Sequence, residues 1–171
     1  RLRRDRGSTP RPSSEASDGY KGQFQESELQ VVGNYYAEWG NPTKALYFLR
    51  QSLAVDATLP RRNGLDWNCY TYWAMAQAYR QLGDYPAALR HANLSLMGTP
   101  GDTTREYAAL AQSVQAHGMV VKSTVLLDLR REAEAGPLLA RVQYLADSLK
   151  LGLFNASLGV IELDATWARY Y

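Results

Sequence analysis

The chain has 171 residues, 46% of them hydrophobic and 21% charged, with a formal net charge of +2, the composition of one globular domain or one repeat array. Its single cysteine, Cys69, excludes an internal disulfide and a cysteine-based zinc site, and is compatible with a reducing compartment. No apolar run approaches the ~20 residues that a membrane-spanning helix needs.

Residues 1–22 carry no apolar periodicity and are rich in Arg, Ser, Pro and Gly, so they are expected to form a disordered leader or linker. This segment holds six basic residues against three acids, a net of +3, and the remaining residues therefore carry −1. The basic balance belongs to the tail, and the folded part is not expected to grip nucleic acid. The chain opens on Arg1 without a hydrophobic signal core and closes on Tyr170-Tyr171, which reads as a piece of a longer protein.

From residue 23 onward the apolar spacing is helical and no segment asks for a strand. A first helix is expected over 25–39. Asn41 and Pro42 then cap and open a partner that continues to about residue 55. Pro60 and Asn63-Gly64 mark a loop, and the next helix carries Tyr72, Met75, Ala76 and Tyr79 on one face. After the turn at 82–85, Asp84 caps a helix in which Ala88, Leu89, Ala92, Ser95 and Leu96 repeat the spacing. Gly98, Pro100 and Gly101 end it.

Thr103 with Glu106 forms a capping box. The stripe Tyr107, Leu110, Ala111, Val114, Gly118, Val121 and Val125 continues from it, giving one long helix, kinked at Gly118, or two shorter ones. After Arg130-Arg131 come Ala135, Leu138, Leu139, Val142, Leu145, Ala146 and Leu149, and the last segment, 154–171, sets Phe154, Leu158, Ile161 and Ala165 on one face.

The two best-defined helix pairs are copies of each other. Shifted by 43 residues, Tyr36, Gly40, Ala45, Leu46, Ser52 and Leu53 coincide with Tyr79, Gly83, Ala88, Leu89, Ser95 and Leu96, while Gly33 falls on Ala76. These coincidences occupy packing positions, which is the mark of an internal repeat. Small residues there let paired helices approach to the short end of the ~8–10 Å range of axial distances.

The pattern Tyr72-x2-Met75-Ala76-x2-Tyr79, Ala88-x3-Ala92, Pro100, with Leu29-x2-Val32-Gly33-x2-Tyr36 and Ala45-x3-Leu49 before it, resembles the tetratricopeptide repeat, W-x2-L-G-x2-Y, A-x3-F, P. The stride exceeds that family's usual roughly 34 residues. The resemblance implies an all-α, right-handed superhelical array of antiparallel helix pairs, a TPR-like α-solenoid of about seven helices. Repeats are expected over 25–56, 65–100 and 103–151, with a partial repeat or cap over 153–171.

The chemical inventory is thin. His91 and His117 lack a second ligand at metal spacing, Cys69 has no neighbouring base, and no phosphate-loop, nucleophile-elbow or zinc-protease motif occurs. No enzyme, cofactor or metal is expected. In an array of this kind the first helix of each pair lines the inner wall, and residues one step off the buried stripe are Gln30, Asn34, Glu38, Tyr70, Trp73, Gln77, Arg80 and Gln81, joined in the third repeat by Gln115, Lys122 and Asp128.

Asn34, Glu38, Tyr70, Trp73, Gln77, Arg80 and Gln81 are the expected partner-binding set, since amides suit an extended backbone and Trp and Arg anchor side chains. For Trp73 the competing expectation is packing against the neighbouring repeat. Relatives that clamp a chaperone's terminal carboxylate use a Lys/Asn set. Asn34 matches its asparagine, but Gln30 and Tyr70 stand where its other members belong, so that partner is disfavoured. The resemblance implies a protein- or peptide-binding scaffold or sensory module of a larger regulatory or signalling protein. The alternatives are homodimerisation through the terminal helices and a small-molecule sensor built from tyrosine and tryptophan.

Overall fold

The computed structural model describes residues 14–59, 68–97, 105–148 and 159–171, which form seven helices: α1 (Ser14–Glu38), α2 (Pro42–Asp56), α3 (Asn68–Gln81), α4 (Tyr85–Met97), α5 (Arg105–Asp128), α6 (Glu132–Ser148) and α7 (Gly159–Tyr170). Among the described residues no strand occurs. The helices pack as the pairs α1–α2, α3–α4 and α5–α6, with α2 on α3 and α4 on α5. In addition α1 touches α3, α3 touches α5 and α5 touches α7, whereas α2, α4 and α6 do not touch one another. The row is therefore curved, with the odd-numbered helices crowded on the inside.

The turn inside each pair is built the same way. Gly40, Gly83 and Arg130 adopt the left-handed conformation, with φ of 71°, 76° and 58°. Behind each, an amide reaches back five residues: Asn41 to the Tyr36 carbonyl (2.8 Å), Asp84 to Tyr79 (3.0 Å) and Arg131 to Leu126 (2.9 Å). This is the Schellman closure, which satisfies carbonyls that a helix end otherwise leaves open. The next helix is then capped: Asn41 Oδ1 accepts from the Lys44 amide at 3.2 Å and Asp84 Oδ1 from the Ala87 amide at 3.1 Å. In the third pair Arg131 stands in the cap's place and instead forks onto Glu134 at 2.6 and 2.8 Å.

Small residues set the distance between paired helices. A Cβ added at Gly33 would lie 2.6 Å from both Cγ and Cδ2 of Leu49 and 3.2 Å from its amide nitrogen, so α1 and α2 nest only because that atom is missing. Ala45, Ala76, Ala88 and Ala135 are all fully buried. One core joins the first two pairs through Ala37, Leu46, Leu49, Trp73, Met75, Ala78 and Ala92. A second, of Ala116, Met119, Val120, Leu139, Val142 and Leu145, is covered by Leu96, Trp167 and Tyr170.

Four expectations need correction or completion. Helix α1 starts at Ser14, so residues 14–22, expected to be disordered leader, are helical; Gly22 lies against the Leu59 side chain, where an added Cβ would come within 2.6 Å. Residues 105–128 form one helix. Gly118 serves close approach to α4, since a Cβ there would meet Ser95 Oγ at 2.7 Å and Leu96 Cδ2 at 2.8 Å. In α7, Ala165 is exposed, while Thr166 is buried and Trp167 and Tyr170 are half-buried against the array. Phe154, Leu158, the Ile161 side chain, Thr103 and the Glu106 side chain lie outside the described residues.

Candidate functional site: the inner wall

The inner wall is assembled from α1, α3, α5 and α7, and polar side chains bridge each successive pair. Gln30 donates to Thr71 Oγ1 at 2.7 Å and Gln81 to the Ala37 carbonyl at 2.6 Å, joining α1 to α3. Arg80 Nε donates to Asp128 Oδ2 at 2.7 Å, joining α3 to α5, and Arg169 pairs with the other oxygen of the same carboxylate, joining α7. Thr124 and Thr166 hydroxyls lie 3.1 Å apart across the α5–α7 seam. Two guanidiniums thus share one carboxylate, so these three groups together carry one net positive charge. Both arginines remain about a third exposed, at 33% and 38%, whereas Asp128 is at 15%. The cation is what a visitor meets.

Beside these charges lies a cleft of about 180 Å³ lined by Gln77, Arg80, Val120, Val121, Thr124, Ala165, Thr166 and Arg169. Its floor is valine and its rim carries amide, hydroxyl and guanidinium groups. That arrangement holds an apolar side chain below and a carboxylate or backbone carbonyl above.

The residues expected to bind a partner divide accordingly. Gln77 and Arg80 line the cleft. Gln81 is spent on the Ala37 carbonyl. Glu38 is exposed at the far end of α1, with partial burial pushing its carboxyl above the usual range. Tyr70 is half-buried; burial, and then the neighbouring Cys69, pushes its hydroxyl up to about 12, so it stays protonated and able to donate. Asn34 is half-buried, and its Oδ1 has no hydrogen-bond partner among the described residues.

Trp73 is not a groove anchor. It is 8% exposed, belongs to the core shared by the first two pairs, and meets the His117 ring edge-on at 5.7 Å. Its indole is taken up by packing on the neighbouring helices, the competing expectation for this residue. Of the third-repeat candidates, Asp128 joins the site through its two arginines, while Gln115 and Lys122 are not among the cleft's lining residues.

Val120, Thr124, Thr166 and Arg169 were not singled out by sequence reasoning. A signal for two of them exists: the left-handed turn residues Gly83 and Arg130 are 47 apart, and adding that stride to Trp73, Gln77 and Gln81 gives Val120, Thr124 and Asp128. The same shift sets Ser123, fully buried, in the place of Gly33 and Ala76.

His91 and Cys69 are both buried. His91 is buried, with Nδ1 2.8 Å from the Ala87 carbonyl and its ring stacked on Tyr79 at 4.8 Å. Desolvation lowers its affinity for a proton, leaving a neutral imidazole that donates from Nδ1. Cys69 is fully buried. Among the described residues no group of three His, Cys, Asp or Glu side chains could hold a metal, and no helix is long and apolar enough to cross a membrane.

No protein-family model and no curated protein matches the sequence. Among solved structures, the chain is similar to the crystal structure of a TPR-like protein from Chlorobium tepidum, with a TM-score of 0.67 and 15% sequence identity over 89% of this chain and 96% of that one. At that identity the likeness establishes the fold: an all-helical, TPR-like array of helix pairs.

Proposed function

We propose that this chain is a non-catalytic docking module that holds an extended peptide segment of a protein partner along its inner wall. TPR-like arrays commonly serve as interaction scaffolds, and the resemblance in sequence points to such a role within a larger regulatory protein. The observation that carries the reading is the shared Asp128 carboxylate. With Arg80 and Arg169 both partly exposed around it, the valine-floored cleft presents guanidinium N–H groups at its rim. The segment it suits is one with an apolar side chain next to an acidic one.

A fluorescence-polarisation screen of a labelled peptide library against the intact chain tests this. Arg169 and Thr124 lie at the rim but also bridge α5 to α7, so Arg169→Gln and Thr124→Ala should lower the melting temperature modestly, stay folded at the assay temperature by circular dichroism, and weaken the selected peptides. For Arg169→Gln the loss should be about tenfold, the worth of one charge-assisted hydrogen bond. Selected peptides should carry an acidic residue. Absence of any peptide binding, or binding indifferent to Arg169→Gln, overturns the reading.

A further inference from the structure

The outer face of α1 carries a pattern that neither the helix pairing nor the inner wall uses. Lys21, Phe24, Glu28, Val31, Tyr35 and Glu38 follow one another at steps of 3, 4, 3, 4 and 3 residues, with a lysine at one end of the row and a glutamate at the other. All six are exposed, with Phe24 at 63%, Val31 at 64% and Tyr35 at 54%, and the flanking Trp39 at 72%. A 3.5-residue repeat is the spacing of a helix built to pack lengthwise on another helix. Among the described residues nothing covers it.

The repeat shows why this face is not simply the place of one more identical pair. Shifted by 43 residues, Glu28, Val31 and Tyr35 fall on Thr71, Ala74 and Ala78, which are all fully buried. A further 47 residues carries Glu28 to Gly118, the position that touches Ser95 and Leu96 of the preceding pair. Where later repeats use small residues to let the preceding pair nest, α1 has a carboxylate and a tyrosine. A helix laid there must sit farther out and must answer those side chains.

We infer that the occupant is a second copy of this chain, with the two α1 helices antiparallel about a two-fold axis. In one register Lys21 faces the partner's Glu38, and that same register sets Phe24 against Tyr35 and Glu28 against Val31. A parallel pairing would instead oppose Lys21 to Lys21 and Glu38 to Glu38. The helix is thus complementary to itself in one direction only, as an isologous interface requires. The exposed parts of Phe24, Val31, Val32, Tyr35 and Trp39 amount to on the order of 500 Å² of apolar surface per copy, at 150–250 Å² for a whole aromatic side chain. With a polar rim, that approaches the roughly 800 Å² per partner of a stable interface. Glu28 stands next to the axis as the one polar layer, fixing the register at a cost in affinity.

Sedimentation velocity and light scattering on the intact chain decide the matter. The wild type should be a dimer at about 100 μM, well above the micromolar dissociation constant expected of an interface at the small end of the stable range. Tyr35→Glu should raise that constant at least tenfold and Glu28→Leu should lower it at least tenfold. Lys21→Glu should weaken the dimer, and adding Glu38→Lys should restore it. Because these side chains are exposed in the single chain, each variant should keep a wild-type circular-dichroism spectrum. A monomer at that concentration, which would leave the stripe to a helix of another protein, overturns the inference. So does a dimer indifferent to Tyr35→Glu and Glu28→Leu. Peptide binding on the inner wall is a separate measurement and does not bear on this outcome.

Discussion

Replacing Gly33 by alanine sets two effects of opposite sign against each other, and the structure says which wins. In a helix interior the exchange gains about 1 kcal/mol from propensity and from a stiffer unfolded chain. Here the new methyl would lie 2.6 Å from two carbons of Leu49 and 3.2 Å from its amide nitrogen. Leu49 is fully buried, so its side chain has no open space to enter, and the backbone contact moves only if α2 moves. Overpacking of this kind costs about 1–3 kcal/mol. The net expectation is a loss of about 1 kcal/mol, or about 2–4 °C of melting temperature for a chain of this size.

The decisive assay is a double-mutant cycle by urea denaturation. Leu49→Ala alone should cost about 2–5 kcal/mol through the cavity it opens. In that background the methyl of Gly33→Ala has room, and the same substitution should become stabilising by about 1 kcal/mol. A reversal of sign measures the contact itself. If Gly33→Ala stabilises the parent, or costs the same with and without Leu49, then close approach is not what glycine provides there.

Two further outcomes follow from other positions. Arg130 is exposed and holds a φ of 58° where the first two turns have glycine, so Arg130→Gly should stabilise by about 1 kcal/mol, relief of left-handed strain exceeding the added chain entropy; a lower melting temperature would contradict this. For His91, desolvation holds the folded imidazole's pKa below its unfolded value. The folded state is therefore penalised as pH falls through the unfolded value near 6.5 toward the folded one, and is unaffected above it. The melting temperature should drop between pH 7 and pH 5 in the parent and drop less in His91→Gln. Equal slopes would refute the assignment.

The first two helix pairs were legible because the same small residues recur at one stride: Gly33 with Ala76, Ala45 with Ala88, Gly40 with Gly83. The third pair was harder, since the stride lengthens and serine and arginine replace the expected small and turn residues at Ser123 and Arg130. Gly118 drew attention as a break, but it is a contact between pairs, and a glycine's reason cannot be read without knowing what stands opposite. The start of α1 was missed because residues 14–22 carry no apolar stripe, and so leave no periodic trace in the sequence. For the inner wall, sequence located the helices that line it but not how their side chains are spent. Gln81 and Trp73 go to neighbouring helices, and the cleft's far side comes from α7, beyond the reach of the repeat pattern.

The bridges along the inner wall span about one stride of chain: Gln30 to Thr71 covers 41 residues, Arg80 to Asp128 covers 48, Thr124 to Thr166 covers 42 and Asp128 to Arg169 covers 41. None of them asks one end of the polypeptide to find the other. The loop that must close before each contact forms is short and nearly constant, so the entropic barrier to assembly does not grow as pairs are added. Folding should then be quick for a chain of this length, in the microsecond-to-millisecond range of proteins rich in local contacts. It is free to begin at whichever hairpin forms first and to spread outward in both directions.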